Sequence, residues 1–203
     1  MTIEKGRTWG EAGVLPADGS VVRSDAEART IVEAARRANR PVPMLGLLGG
    51  DLCRTVGGQG DESRLRSVEA MRLPVDLASV LVDGRLHWFV AHLIARRSWW
   101  RGEIFLAMNA EWHGRWDVAP RAHPGDGLLD TLTGRPSFDD RLKAWRRLPS
   151  GTHVPHPQIL ERRFKSTQCD FPRSLDVWLD GQHIGRASTL SIRVEPDALT
   201  CVV

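Results

Sequence analysis

From about residue 73 to the end of the chain, short apolar segments alternate with turn signals, and this alternation constrains the fold most strongly. Asp83-Gly84 separates two apolar segments, 75–82 and 86–92, which is a strong β-hairpin signal. Asp180-Gly181 marks another turn, and Ser137 opens one short predicted helix. Further strands are predicted at 104–110, 116–119, 128–132, 159–167, 175–179, 191–194 and 199–203. Several short strands with one helix are typical of a β-sandwich.

The first 72 residues follow a different pattern. Residues 1–22 are rich in glycine, proline and charge, which predicts an irregular arm. Ser24 followed three residues later by Glu27 predicts a capping box and a helix. The apolar run 44–48 predicts a buried strand, followed by a glycine-rich turn and a second helix. We therefore predict an α+β protein: a small truncated α/β (Rossmann-like) layer at 1–72, followed by a β-sandwich domain at 73–203.

Composition and charge restrict the class of protein, its compartment and its partners. Hydrophobic residues make up 41% and charged residues 26%, as in ordinary soluble proteins. The first ten residues lack the apolar core of a signal peptide, and three widely spaced cysteines suit a reducing compartment, so we expect a cytoplasmic protein. The net charge of +3 is mild and the arginines alternate with acids, so we expect no nucleic-acid partner.

The loop at 119–130 carries two carboxylates, Asp126 and Asp130, around a tight Asp-Gly turn. Loop carboxylates beside a strand are typical of an oxygen-ligand metal site or a phosphoryl-transfer site. An acidic β-turn with no ligand explains the same residues, because Asp-Gly is a common turn dipeptide.

The aromatic residues are skewed towards tryptophan, with eight Trp and no Tyr. Trp99 and Trp100 lie beside Arg96, Arg97 and Arg101, a combination that suits contact with membrane headgroups. Core tryptophans flanked by surface arginines are the alternative.

The seven histidines do not favour a metal site. Zinc requires several converging ligands. His153 and His156 lie in a proline-rich loop, and His87 and His92 would point to opposite faces of one regular strand.

Several motifs in order resemble one family. Residues 120–130 read Pro-x-Ala-x-Pro-x-Asp-Gly-x-Leu-Asp, residues 151–157 contain a Gly-x-His…His-Pro connection, and residues 177–182 end a strand in Asp-Gly-Gln. This pattern resembles the second domain of the diacylglycerol kinase family, which includes bacterial lipid kinases and sphingosine kinases. The resemblance implies a β-sandwich of the lipid-kinase type and the use of Mg-ATP.

The resemblance also implies roles for individual residues. Asp126 and Asp130 would belong to the Mg²⁺-linked metal region, and Asp180 would lie at the acceptor side as the catalytic base. The family has Glu where this chain has Gln182, and an amide cannot take up a proton at neutral pH. The base motif is therefore half lost.

The first half resembles the nucleotide domain of the family only in part. In the segment 45–57, Asp51, Arg54 and Gly57 match, and Asp25 is what remains of an upstream Gly-Gly-Asp-Gly-Thr motif. The resemblance implies that Asp25, Gly49, Gly50, Asp51 and Arg54 bind the nucleotide cofactor.

The glycines that would cradle phosphate around Asp25 are absent, and the capping box at Ser24 uses the helix donors that a phosphate would need. The turn Gly49-Gly50-Asp51 is either a shortened phosphate-binding turn or a structural turn in which Asp51 caps the next helix.

These patterns predict a degenerate diacylglycerol-kinase-like protein that binds a lipid or small amphiphile and has weak or absent ATP phosphotransfer. One alternative is an active ATP-dependent lipid kinase with a shortened nucleotide site, and another is a structural or assembly protein. We expect peripheral contact with the inner membrane face. We also expect a homodimer, because a truncated layer should leave apolar surface exposed.

Overall fold

The structure is a computed structural model, and it describes residues 9–203. Its elements in chain order are β1 (Glu11–Ala12), β2 (Ser20–Val22), α1 (Asp25–Arg37), β3 (Leu45–Leu47), α2 (Asp51–Thr55), a 3-10 turn (Arg64–Arg66), β4 (Met71–Val82), β5 (Arg85–Phe89), β6 (His92–Arg96), β7 (Ile104–Met108), β8 (Trp112–His113), β9 (Trp116–Asp117), β10 (Leu129–Gly134), α3 (Phe138–Arg147), a 3-10 turn (Leu148–Ser150), β11 (Ile159–Phe164), β12 (Ser166–Leu179) and β13 (Gln182–Val202).

One eleven-stranded sheet dominates the described residues. Its main path runs β1-β4-β13-β12-β6-β7-β10-β11, with β5 paired to β4 and the parallel strands β2 and β3 joined to the end of β13. Side chains from β4 and β10, which are separated along this path, pack into one core cluster. The sheet therefore folds over on itself, and the predicted β-sandwich is confirmed.

The strands β6, β7 and β10 are apolar on both faces. Leu93 and Phe105 point into the main core of the sandwich, whereas their neighbours Ile94 and Leu106 belong to a separate cluster on the opposite face. This alternation follows from the two-residue period of a strand. The opposite face is also apolar and has to be shielded from water, and α3 lies across it.

The helix α1 begins and ends as its capping pattern predicts. The Ser24 hydroxyl accepts a hydrogen bond from the Glu27 backbone N–H at 3.2 Å. The Glu27 carboxylate accepts from the Arg23 N–H at 2.7 Å, one residue earlier than in the standard capping box. Ala28, Val32 and Ala35 are buried on the inner face of the helix.

The segment β2–α1–β3 forms a unit of two parallel strands with a helix between them. Its apolar residues share one core cluster with β4 and β13, so burial is continuous across the predicted domain boundary at 72/73. Two parallel strands and a helix occur in many α/β folds. The Rossmann-like character of this layer and the division into two domains stay predictions.

Several predicted elements need correction. The prediction of an irregular arm at 1–22 is wrong for its last residues, because Ser20–Val22 is a strand that pairs with β3. Residues 1–8 of that predicted arm lie outside the described part of the chain. The single strand predicted at 86–92 is two strands, since β5 ends at Phe89 and β6 begins at His92. The separate C-terminal strands join into β13, which runs from Gln182 to Val202 through a bulge between Glu195 and Leu199. Apolar alternation is interrupted at bulges, whereas strand pairing continues through them.

Both Asp-Gly hairpins are present. Asp83 and Gly84 have φ values of +45° and +83°, and Asp180 and Gly181 have +49° and +80°. These positive values at both central residues favour the type I′ turn, which matches the twist of paired strands. No helix among residues 9–203 is long and apolar enough to cross a membrane.

Candidate functional site

A cavity of about 340 Å³ lies between the outer face of β6, β7 and β10 and the helix α3. Its floor is formed by the aliphatic side chains that alternate away from the main core, including Ile94, Leu106 and Met108. Trp99 and Trp116 close its sides. The lining is overwhelmingly apolar, so the cavity suits the hydrocarbon part of a ligand.

Arg141 holds the roof of the cavity in place. It is 5% exposed, and its guanidinium donates hydrogen bonds to the carbonyl oxygens of Pro136 at 2.9 Å and Trp99 at 3.0 Å, and also to that of Gly102. Three backbone acceptors satisfy the fork of donors on this side chain. Arg141 therefore ties α3 to the loop between β6 and β7.

Three exposed aromatic rings cluster at the rim of the cavity. Trp100 lies 5.8 Å from Phe138 and 6.3 Å from Trp145, measured between ring centroids. These side chains are 43%, 60% and 40% exposed, respectively. Trp99 is instead half-buried beneath the Arg96 guanidinium, which lies 4.5 Å from its ring centroid. Trp99 thus lies in the cavity wall, whereas its neighbour Trp100 lies at the rim.

A polar cluster adjoins the cavity through His113, which lines the cavity wall. His92 Nε2 lies 2.9 Å from Asp51 Oδ2 and 3.1 Å from His113 Nδ1. His113 Nδ1 lies 3.6 Å from the same Asp51 oxygen. Three side chains from α2, β6 and β8 therefore meet at one point.

The electrostatics of this cluster follow from burial and proximity. Burial raises the pKa of Asp51, but hydrogen bonds with His113 and His92 outweigh it and hold the pKa below its usual range. Burial lowers the pKa of His92, yet the Asp51 hydrogen bond and the charges of Asp180, Asp51 and Asp25 outweigh it and raise the pKa.

Asp180, the predicted catalytic base, anchors the backbone beneath this cluster. Its carboxylate accepts hydrogen bonds from the N–H groups of Val90 at 2.9 Å, Ala91 at 2.9 Å and His92 at 3.0 Å. Burial raises its pKa. Both oxygens are engaged by backbone donors, and a base needs an oxygen within reach of its substrate. Catalysis by Asp180 stays a prediction, whereas its anchoring contacts are explicit.

Asp25 lies where the resemblance implies a phosphate-binding turn. Its carboxylate accepts hydrogen bonds from the N–H groups of Asp51 at 2.6 Å and Leu52 at 3.1 Å, so it caps α2 from outside that helix. Gly50 has φ of +96°, and a Cβ there would lie 2.5 Å from Asp25 Oδ1. A Cβ added at Gly49 would lie 2.5 Å from the Arg23 carbonyl oxygen.

Gly50 thus makes room for the Asp25 carboxylate, and Gly49 makes room for the backbone of Arg23. The Asp25 carboxylate uses backbone donors that a nucleotide phosphate would require. Burial, followed by the charge of Asp180, raises the pKa of Asp25 to about 7. This geometry favours the structural interpretation of the turn, with Asp25 as the capping residue where the sequence suggested Asp51.

The other implied nucleotide ligand, Arg54, also has protein partners. Its guanidinium donates to the Gly114 carbonyl oxygen at 2.8 Å and lies 3.4 Å from the ring centroid of Trp112. Gln182, which replaces the family Glu, accepts a hydrogen bond from Arg29. Both side chains therefore already have partners within the protein, and nucleotide binding at these positions stays a prediction.

The predicted metal ligands Asp126 and Asp130 share one arginine. Arg163 forms an ion pair with Asp126 and donates to Asp130 Oδ2 at 3.1 Å. Asp126 Oδ1 also accepts from the Leu128 N–H at 3.0 Å, which closes the turn. A guanidinium between two carboxylates repels a dication, so these donors do not fit Mg²⁺ without a rearrangement of Arg163. The metal role stays a prediction.

Sequence reasoning missed the grouping of His92 and His113 with Asp51. The signal available was weak, because His113 lies in a Trp-His-Gly-Arg-Trp segment that has no ligand spacing. The three residues are 41 and 21 positions apart, and only the packing of α2 and β8 against the start of β6 brings them together.

The described fold defines the chain as a β-sandwich protein with a small α/β addition. Residues 67–203 match the family model of the YegS C-terminal NAD kinase beta sandwich-like domain. This match covers well over half of the 203 residues, so the chain belongs to that family. The relationship to the diacylglycerol kinase and bacterial lipid kinase family that the motifs indicate is thereby confirmed.

Solved structures agree with this fold. A candidate diacylglycerol kinase from Bacillus anthracis str. Sterne superposes with a TM-score of 0.69 and 14% identity, covering 91% of this chain and 77% of that one. A second structure of such a protein from the same organism gives 0.66 and 14% with the same coverage. A third, described as a diacylglycerol kinase from that organism, gives 0.54 and 15%, with coverage of 91% and 75%. No curated protein sequence matches the chain significantly.

Proposed function

We propose that the chain is a degenerate member of the lipid-kinase family that binds a lipid or other amphiphile and transfers phosphate from ATP weakly or not at all. The observation that carries this proposal is the apolar cavity between the sandwich and α3. Ligand binding and loss of phosphotransfer can be tested separately.

The cavity has the size and lining of a site for an apolar chain. Its volume of about 340 Å³ lies within the range of about 300–1,000 Å³ that is common for ligand pockets. Leu106 and Met108 present apolar side chains to it from strands whose other face is already buried. A hydrocarbon chain would remove this surface from water, at about 25 cal/mol for each Å² buried.

The polar cluster supplies a partner for a headgroup. His113 contacts the cavity and also His92, and through them Asp51 is connected to the same end. An amphiphile has an apolar chain and a polar headgroup, so it matches an apolar cavity with a few polar groups at one end.

The exposed aromatic rim suits transfer of such a ligand from a membrane surface. Trp100 and Trp145 lie at the rim, and the exposed arginines Arg97 and Arg101 are close to Trp100 in the sequence. Tryptophan partitions to the headgroup level of bilayers, and arginine is attracted to anionic lipids. We therefore include peripheral contact with the inner membrane face in the proposal.

Two contacts support weak or absent phosphotransfer. Asp25 uses backbone donors at the start of α2, and Arg163 pairs with the carboxylates Asp126 and Asp130. A phosphoryl-transfer site needs free donors for the phosphates and free carboxylates for Mg²⁺. Bound Mg-ATP would supply the phosphoryl group, and in this geometry both sets of groups are already engaged.

Filling the cavity tests ligand binding. Ala144 lines the cavity from α3, so Ala144→Trp should occupy it, whereas Ala34→Trp places the same side chain at an exposed position of α1. Titration with a fluorescent fatty-acid analogue should show saturable binding to the wild type and to Ala34→Trp. Binding to Ala144→Trp should be at least about 10-fold weaker, because the added ring takes the space of the ligand.

Circular dichroism establishes that both variants are folded. If Ala144→Trp does not fold, Leu106→Gln serves as the second variant, since it introduces an amide into the cavity floor. Wild-type affinity in a folded cavity variant would refute the proposed site.

A thermal-shift titration with Mg-ATP tests the loss of phosphotransfer. We expect no stabilisation at millimolar nucleotide, because a ligand stabilises the folded state only in proportion to its binding. A Mg-dependent shift that Asp126→Ala abolishes would favour the active kinase instead. The homodimer stays a prediction, and light scattering of the purified chain measures it directly.

A further inference from the structure

We propose that Asp51, His92 and His113 form a binding site for a divalent transition metal of the Zn²⁺ type, with one coordination position left open. This site goes beyond the proposed function and does not depend on it. The ligand atoms are Asp51 Oδ2, His92 Nε2 and His113 Nδ1.

The spacing of the three atoms matches a tetrahedral ion. Their separations of 2.9, 3.1 and 3.6 Å place a common centre about 1.9 Å from each atom in their plane. A metal about 2.05 Å from all three, a usual Zn–N and Zn–O distance, would sit about 0.8 Å above that plane. Three ligands below an ion and one open position above it is the arrangement of a catalytic or ligand-accepting zinc site.

Contacts around the cluster hold Asp51 and the backbone of His92 in place. The second oxygen of Asp51, Oδ1, accepts from the Gly114 N–H at 2.7 Å, which directs Oδ2 towards the histidines. The backbone N–H of His92 is held by Asp180 at 3.0 Å. The rings of His92 and His113 are perpendicular, with an interplanar angle of 90°, so their ligand nitrogens converge without steric overlap. The Gly114 contact to Asp51 is of the kind that orients a metal ligand from outside the coordination shell.

Acidic side chains predominate around the cluster. Asp25, Asp51 and Asp180 carry three carboxyl groups around His92, and all three act on it electrostatically. Among residues 9–203, neither lysine nor arginine forms an ion pair with any of these three groups. No described lysine or arginine therefore competes with a metal for the Asp51 ligand oxygen.

A hydrogen-bonded cluster without metal is the competing explanation for the same distances. It requires one proton shared between His92 Nε2 and His113 Nδ1, and a bound metal would displace that proton. Direct metal binding distinguishes the two explanations.

The experiment uses the full chain after treatment with a chelator. Isothermal titration with Zn²⁺ should give one site per chain, and Co²⁺ should give the visible d–d absorption of tetrahedral coordination. His113→Ala, a partly exposed position, should weaken Zn²⁺ binding by about 100-fold and abolish the Co²⁺ bands, because two ligands cannot hold the ion. Asp51→Asn should behave alike, and thermal melts establish that both variants are folded.

His183→Ala is the matched control, because His183 is about half exposed and contacts Asp176, away from the cluster. It should bind Zn²⁺ as the wild type does. Absence of saturable binding to the wild type would overturn the proposal. Binding that His113→Ala leaves unchanged, or that His183→Ala removes, would overturn it as well.

Discussion

Removing the Asp180 carboxylate should destabilise the fold far more than removing a comparable surface carboxylate. Asp180 is 5% exposed and accepts three backbone hydrogen bonds, at 2.9, 2.9 and 3.0 Å. Each buried N–H left without a partner costs about 1–3 kcal/mol. Burial of the carboxylate itself disfavours the folded state, which offsets part of this loss. For Asp180→Ala we therefore expect a net loss of about 3–6 kcal/mol in the free energy of unfolding.

Urea unfolding followed by circular dichroism measures this loss. Asp180→Asn keeps one acceptor oxygen and removes the buried charge, so its loss should be smaller, at about 1–3 kcal/mol. Asp176→Ala, on the preceding strand β12, is the control, because Asp176 pairs with His183 and Arg186 at partly exposed positions and its loss should cost at most about 1 kcal/mol. A loss below about 1 kcal/mol for Asp180→Ala would refute the anchoring role.

Three further perturbations test the surroundings of the site. Gly50→Ala should cost at least about 2 kcal/mol of unfolding free energy, because its φ is +96° and its Cβ would lie 2.5 Å from Asp25 Oδ1. Gly57→Ala, with φ of +79° and no atom within 4 Å of the added Cβ, should cost only about 1 kcal/mol, and equal losses would contradict the close approach. The melting temperature should fall as the pH rises from about 4 to about 7, because the raised pKa of Asp25, about 7, means that the folded chain holds a proton there that the unfolded chain has released. Asp25→Asn should flatten this dependence, and a melting temperature that rises with pH over that window would show the shift to be absent. Arg141→Met should cost about 2 kcal/mol and speed amide hydrogen exchange in α3 and in residues 97–102, and unchanged exchange would show that the roof of the cavity does not depend on this side chain.

Local sequence signals predicted the elements whose causes are local. Ser24 and Glu27 predicted the start of α1, and Ser137 predicted the start of α3, where its hydroxyl accepts from the Asp140 N–H. Asp83-Gly84 predicted a hairpin, since only a few residues tolerate positive φ. Each of these signals acts over four residues or fewer, and distant parts of the chain do not alter it.

The extent of the strands depended on pairing that local patterns do not report. β13 continues from Gln182 to Val202 because β12 and β4 pair with it over most of its length, and a bulge absorbs the irregular residues between Glu195 and Leu199. Ser20–Val22 is a strand because β3 lies beside it. Backbone groups need hydrogen-bond partners, and the partners here lie far away in sequence.

The predicted site residues illustrate the same division. Asp126 and Asp130 were found from their turn, but their shared partner Arg163 lies on β11. Asp25 was identified from a family pattern, whereas its capping of α2 appears only when folding places the first residue of α1 beside the start of α2. An aspartate that binds a ligand and an aspartate that accepts hydrogen bonds from the backbone look the same in the sequence.

The amino-acid sequence alone determined the family, the β-rich second half, the starts of α1 and α3 and the positions of the hairpin turns, because motif order, capping residues and turn residues are properties of neighbouring positions. The tertiary structure alone decided what the carboxylates and histidines contact. It assigned Asp25 and Asp180 to backbone donors, Arg163 to the acidic loop, and Asp51 to His92 and His113. Hydrogen bonds and ion pairs form between atoms a few ångströms apart, and folding, not spacing along the chain, sets those distances.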